Sequence, residues 1–177
     1  MLVKNIRAHK NSQIVGVLAV FACADVSAIC LPSAPLQNMV VSSNWGVRMR
    51  PNATLPGGKP WFRPHNGFDL TTNRQNKPLF AALDGTVTAA GFERSQGNHI
   101  DIAGSGATAG IKTVSMHLSA VHVKAGESVR AGQQIGMTGD TGAGISGSPH
   151  LHYEIRINNG RTPQDPRGYF CPTPSAQ

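Results

Sequence analysis

The sequence predicts a mainly β domain built from short antiparallel strands, and three observations carry that expectation. Glycine and proline are abundant, at 20 and 12 of 177 residues, while aromatic residues make up only 6%. That composition suits a turn-rich fold better than packed helices. Beyond residue 28, no stretch of about 12 or more residues holds apolar side chains at helical spacing. From Pro78 onward, β-like runs alternate with turn signals at Asp84-Gly85, Gly104-Ser105-Gly106 and Asn159-Gly160.

The N-terminal segment reads as an export signal. Lys4, Arg7 and Lys10 precede an apolar run of eleven residues from Ile14 to Ala24, which is too short to cross a bilayer as a helix. Val26-Ser27-Ala28 then offers a small-x-small cleavage motif, with Ala22-Cys23-Ala24 as a second candidate. Residues 1–28 are therefore expected to be removed, leaving no stable membrane span. An uncleaved anchor or a buried helix is the alternative. Lipid attachment at Cys23 fits poorly, because Phe21 stands where a small residue is needed.

Residues 29–44 form a lead-in containing Pro32 and Pro35, and residues 45–64, rich in Gly, Pro and Arg, read as a loop. Strands are expected at Leu79–Leu83, Thr86–Gly91, His99–Ile102, Lys112–Leu118, Val121–Val123, Gln134–Met137 and Leu151–Ile157. One domain over 45–165 and a tail over 166–177 result. The Gly-punctuated runs at 84–91 and 123–136 resemble the turns of lipoyl and biotinyl carrier domains. They lack a lysine motif at the tip and are read as scaffold. After removal of the signal, Cys30 and Cys171 remain near the two ends and are expected to pair in an oxidising compartment. The formal net charge is +7. Without a compact run of Lys and Arg this does not point to nucleic acid, and charge alone does not choose between attraction to an anionic envelope surface and ordinary solubility.

Three motifs carry chemistry: H-N-G-F-D at 65–69, S-M-H-L-S at 115–119 and P-H-L-H-Y-E at 149–154. A catalytic zinc site needs three protein ligands and an open position. His65, Asp69, His117, His150 and His152 supply enough donors, with two imidazoles to spare. The H-x-x-x-D spacing alone is weak, and a surface His–Asp pair would look the same. The 150–157 segment is stronger. In a strand, side chains alternate between faces, so His150, His152, Glu154 and Arg156 share one face and Leu151, Tyr153, Ile155 and Ile157 the other. By the same count His117 lies opposite Val114, Met116 and Leu118, and alone it would be taken as structural. H-E-x-x-H and G-x-S-x-G are both absent, which favours metal-activated water over a helical zinc motif or a serine nucleophile.

In this order and spacing the motifs resemble the lysostaphin-type zinc endopeptidases (LytM-like domains, metallopeptidase family twenty-three). The resemblance runs from about Trp45 to Arg156. It includes W-G-V-R at 45–48, P-L-F-A-A-L-D-G-T-V at 78–87, V-K-A-G-E-S-V-R-A-G-Q-Q-I-G at 123–136 and T-G-D-T-G at 138–142. It implies a small antiparallel β-sheet domain (a duplicated hybrid motif, barrel-sandwich-hybrid-like) with long loops around a groove. It also implies one Zn²⁺ per chain held by His65, Asp69 and His152, with His117 and His150 as acid–base and oxyanion-stabilising groups in either order. Glu154 would orient a histidine or serve as a structural hydrogen-bond partner.

The implied substrate is the peptide part of peptidoglycan. A periplasmic location follows from the signal and the single cystine, with a secreted cell-wall protein as the alternative. Some LytM-like domains are instead non-catalytic modules that activate amidases or serve envelope assembly or secretion machinery. Two departures from the resemblance stand out: Arg50-Pro51 where many relatives have His-Pro, and Met116 before the middle histidine.

Overall fold

The computed structural model describes residues 29–55, 57–143 and 148–170. Among these are thirteen strands, two short 3-10 turns and no α-helix, as the turn-rich composition requires. The signal segment and Cys171 lie outside the described residues, and Cys30 is disulfide-bonded. No helix among the described residues is long and apolar enough to cross a membrane.

The larger sheet has eight antiparallel strands. Its centre is β4 (Phe68–Thr71), β12 (His150–Ile157), β8 (Lys112–Leu118) and β7 (Gly97–Gly104). It is extended on one side by β1 (Val41–Ser43) and on the other by β6 (Gly85–Glu93) and β10 (Ser128–Val129), with β13 (Thr162–Gln164) pairing onto the end of β12. A second sheet joins β5 (Pro78–Phe80), β11 (Gln134–Met137) and β9 (Ala120–Val121). Between the two lies one core containing Leu70, Leu79, Leu83, Ile100, Leu118, Ile135, Leu151, Tyr153 and Ile155. Strand parity explains its composition, since alternate residues of β4 and β12 point inward together. Phe68 faces Tyr153 and Leu70 faces Leu151 across the pair, and all four are buried.

The alternation in 150–157 and the runs at 112–118 and 134–137 form strands where the sequence predicts them. Other expectations need correction. The run Leu79–Leu83 pairs only as far as Phe80, after which Ala81, Ala82 and Leu83 stay buried outside the ladder. The run at Val121–Val123 ends at Val121. The lead-in packs onto the domain: Leu31 and Leu36 enter the core and Val41 pairs with Leu70.

The largest departure is in 45–64. These residues form a two-stranded antiparallel ribbon, β2 (Gly46–Leu55) with β3 (Lys59–His65), not a loop. Backbone hydrogen bonds make the ribbon. The side chains of Val47, Met49 and Phe62 are 74%, 58% and 57% exposed, so no buried face imposes the apolar alternation that marks a strand in a sequence. A register irregularity between Arg50 and Thr54 accommodates the proline-containing stretch.

Candidate metal centre and groove

His65 closes β3 and Asp69 lies in β4, with a bend at Asn66-Gly67 between them. Gly67 is required there, because an added Cβ would lie 2.2 Å from the Tyr153 carbonyl oxygen. On β12, His152 is the register partner of Asp69. Directly opposed residues in an antiparallel pair share a face, so register alone places these two side chains together.

The three donor atoms form a nearly equilateral triangle. His65 Nε2 is 3.0 Å from His152 Nδ1 and 3.2 Å from Asp69 Oδ1, and His152 Nδ1 is 2.9 Å from Asp69 Oδ1. Tetrahedral zinc with ligands at 2.0–2.2 Å separates its donors by about 3.3 Å, so the spacing fits. Tautomers strengthen the fit. His65 Nδ1 lies 2.6 Å from the Asn44 carbonyl, which can only accept, so Nδ1 carries the proton. His152 Nε2 lies 3.1 Å from the Glu154 carboxylate and donates to it. Both inward nitrogens are therefore lone-pair donors, and two lone pairs 3.0 Å apart beside a carboxylate call for a cation between them. These are the partners expected around metal-binding histidines.

The electrostatics agree. Burial disfavours the charged form of Asp69, yet the His152 and His65 rings that meet it outweigh this and hold the carboxyl well below its ordinary range. Burial likewise opposes charge on His152, but Asp69 and Glu154 raise its pKa. The site thus favours positive charge at the triangle. Glu154 is almost fully buried. Despite that burial, bonds from His152 and from Arg156, at 2.5 Å, keep it ionised. Arg48, on β2, donates to the outer oxygen of Asp69 at 3.0 Å.

His117 reaches the groove by a different route. Parity puts it opposite Met116, but both line the same groove. The register with β7 shifts here: Asn98 pairs with Leu118 and Ile100 with Ser115, so Met116 and His117 together oppose His99. This is a β-bulge, with His117 at φ +66°, and bulges re-aim side chains beside functional sites. His117 Nδ1 donates to the Thr141 carbonyl at 3.0 Å, leaving Nε2 without a proton. Burial pushes its pKa down to about 4, with His150 and His152 adding to the effect. Gly97 (φ +68°) lets the Thr141 loop approach, since a Cβ there would lie 2.3 Å from the Thr141 carbonyl oxygen. The His150 ring lies 5.0 Å from that of His117 and donates through Nδ1 to the Ser148 carbonyl.

All six residues singled out in the sequence therefore line one groove of about 730 Å³. His65, Asp69 and His152 form the donor triangle, His117 and His150 stand beside it, and Glu154 lies behind His152. Sequence reasoning missed the carbonyls of Asn44 and Thr141, which leave no side-chain signal, and the pairing of Arg48 with Asp69. His99 and His122 lie outside the groove lining.

Comparison with known proteins agrees with this geometry. The profile of Peptidase family M23 matches residues 63–166. The DD-carboxypeptidase/endopeptidase Mpg of Neisseria meningitidis is 38% identical over 140 residues, 79% of this chain and 29% of that protein. The catalytic domain of the antimicrobial peptidase lysostaphin from Staphylococcus simulans superposes with a TM-score of 0.58 at 32% identity, over 73% of this chain and 90% of that one. A chain of the SpoIIQ–SpoIIIAH pore-forming complex shares the fold, with a TM-score of 0.63 at 23% identity over 81% and 92% of the two chains. The chain spans 19% and 29% of the length of two curated relatives that it matches. With its antiparallel β fold and its His–Asp–His triangle, the chain belongs to peptidase family M23.

Proposed function

We propose that the chain is an exported zinc endopeptidase that hydrolyses peptide bonds in the stem and cross-link peptides of peptidoglycan. The observation that carries this reading is the convergence of two lone-pair imidazole nitrogens and one carboxylate oxygen within 3.2 Å of one another, at the floor of an open groove. A bound zinc ion supplies Lewis acidity that polarises a carbonyl and acidifies water. His65, Asp69 and His152 hold it, while Asn44 and Glu154 fix the two imidazoles. His117 presents an unprotonated Nε2 and stays neutral through the physiological range, as a general base requires. In its protonated form His150 presents an Nε2–H beside His117, placed to steady a developing oxyanion or to give a proton to the leaving amine.

The likeness to Mpg, named as a DD-carboxypeptidase/endopeptidase, supports a peptidoglycan peptide as substrate. The apolar run after Lys4, Arg7 and Lys10 supports export, with the periplasm as destination and Cys30 and Cys171 paired there. A non-catalytic role in envelope assembly is the rival. The likeness to SpoIIQ–SpoIIIAH is one of fold alone, and the intact donor triangle with two flanking imidazoles favours catalysis. The test is digestion of purified sacculi of diaminopimelate and pentaglycine types, with a chelator control and mass analysis of the fragments. Zinc-dependent release of cross-link fragments is expected. Intact sacculi after incubation with folded, zinc-loaded protein would refute the enzyme reading.

A further inference from the structure

The groove carries three guanidinium groups, Arg48, Arg63 and Arg156, and they are not equivalent. Arg48 is held by Asp69 at 3.0 Å and Arg156 by Glu154 at 2.5 Å. The Arg63 side chain is exposed, and its guanidinium makes neither an ion pair nor a hydrogen bond among the described residues. It is also the direct register partner of Arg48 on the ribbon. Opposed residues in an antiparallel pair bring their Cβ atoms to about 5 Å, and like charges there are destabilising. The ribbon thus sets an unpaired cation beside a paired one, on the face that turns toward the donor triangle. His65 and Arg63, two residues apart on β3, share that face by parity, and both line the groove. Asp69 compensates Arg48, no described side chain compensates Arg63, and a cation left so in a groove lining points to a charge supplied from outside the fold.

We infer that Arg63 is a specificity-determining residue that receives a free carboxylate of the peptide substrate. This rests on the endopeptidase reading and narrows its substrate class to acidic peptides, as against neutral glycine bridges. A guanidinium binds a carboxylate with two parallel hydrogen bonds, which fixes orientation as well as adding affinity. The shared chemistry has two sources in a stem peptide: a side carboxylate on a γ-glutamyl or diaminopimelyl residue, and the C-terminal carboxylate.

The experiment is calorimetric titration of the full, zinc-loaded chain with three forms of a synthetic stem tetrapeptide: the free acid, the form amidated on its side carboxylates, and the form amidated at its C-terminus. Wild-type protein should bind the free acid about 10- to 100-fold more tightly than one of the amides, the range of a charge-assisted hydrogen bond. Which amide is weakened identifies the source. Arg63→Ala should abolish that difference and leave affinity for the amide unchanged, and Arg63→Lys should restore part of it. Equal binding of all three peptides by wild type, or a preference retained in Arg63→Ala, would overturn the assignment. Because binding is read without turnover, the two readings fail separately. Uncut sacculi with an Arg63-dependent preference sink only the enzyme reading, and cut sacculi with an Arg63-independent preference sink only this one.

Discussion

The β4–β12–β8 sheet and the β2–β3 ribbon face the same groove but are built on opposite principles. The sheet strands bury one side in the core, where Leu70, Leu118, Leu151 and Ile155 are fully buried. That packing fixes the register that joins Asp69 to His152. The ribbon is held by its own backbone pairing and leaves Val47, Met49 and Phe62 largely in solvent. The contrast teaches where each kind of function can sit. Asp69 and His152 stand on the packed sheet, and His65 is the buried last residue of the ribbon where it leads into β4, while the exposed part of the ribbon sets Arg63 along the groove.

The comparison can be broken at either end. The largest effect is expected at the triangle. Asp69→Ala or His152→Ala should eliminate both zinc retention, measured by elemental analysis, and cleavage of sacculi. His117→Ala should keep zinc and lower the cleavage rate about 10²- to 10⁴-fold, the usual contribution of a general acid–base group. An unchanged rate would remove His117 from the chemistry. Glu154→Gln should weaken zinc binding by about 10- to 100-fold in chelator competition, because His152 loses its anionic partner. Stability separates the regions most simply. Leu151→Ala should destabilise by about 2–5 kcal/mol in denaturant unfolding, whereas Phe62→Ser on the ribbon should stay within about 0.5 kcal/mol. A ribbon variant as damaging as the core variant would show that the two regions fold as one packed unit.

The acid side of the stability profile gives a further handle on His117. Its folded-state pKa is pushed down to about 4 by burial, below the ordinary value near 6.5. The unfolded chain therefore binds this proton first, and folding stability falls as pH drops from about 7 toward 4. In chelated protein, His117→Gln should flatten that part of the curve.

Much of the site was legible because strand parity is a local rule. His150, His152 and Glu154 share a face wherever β12 lies, and their neighbours Leu151, Tyr153 and Ile155 announce the core. The ribbon was not legible, since a strand without a buried face leaves no apolar alternation to read. The orientation of His117 was not legible either, because parity predicts the wrong face and only the bulge opposite His99 reverses it.

By itself, then, the sequence determined the β class, the core-facing residues of β12 and the set of donor side chains, all of which follow from composition and a two-residue period. Only the tertiary structure decided that Asn44 and Thr141 would lend their carbonyls to His65 and His117, that Arg48 would be neutralised by Asp69, and that Arg63 would face the groove with no ion pair among the described residues. The physical reason is that these depend on pairing and bulging between strands far apart in the chain, where the backbone, identical in every residue, makes the contacts.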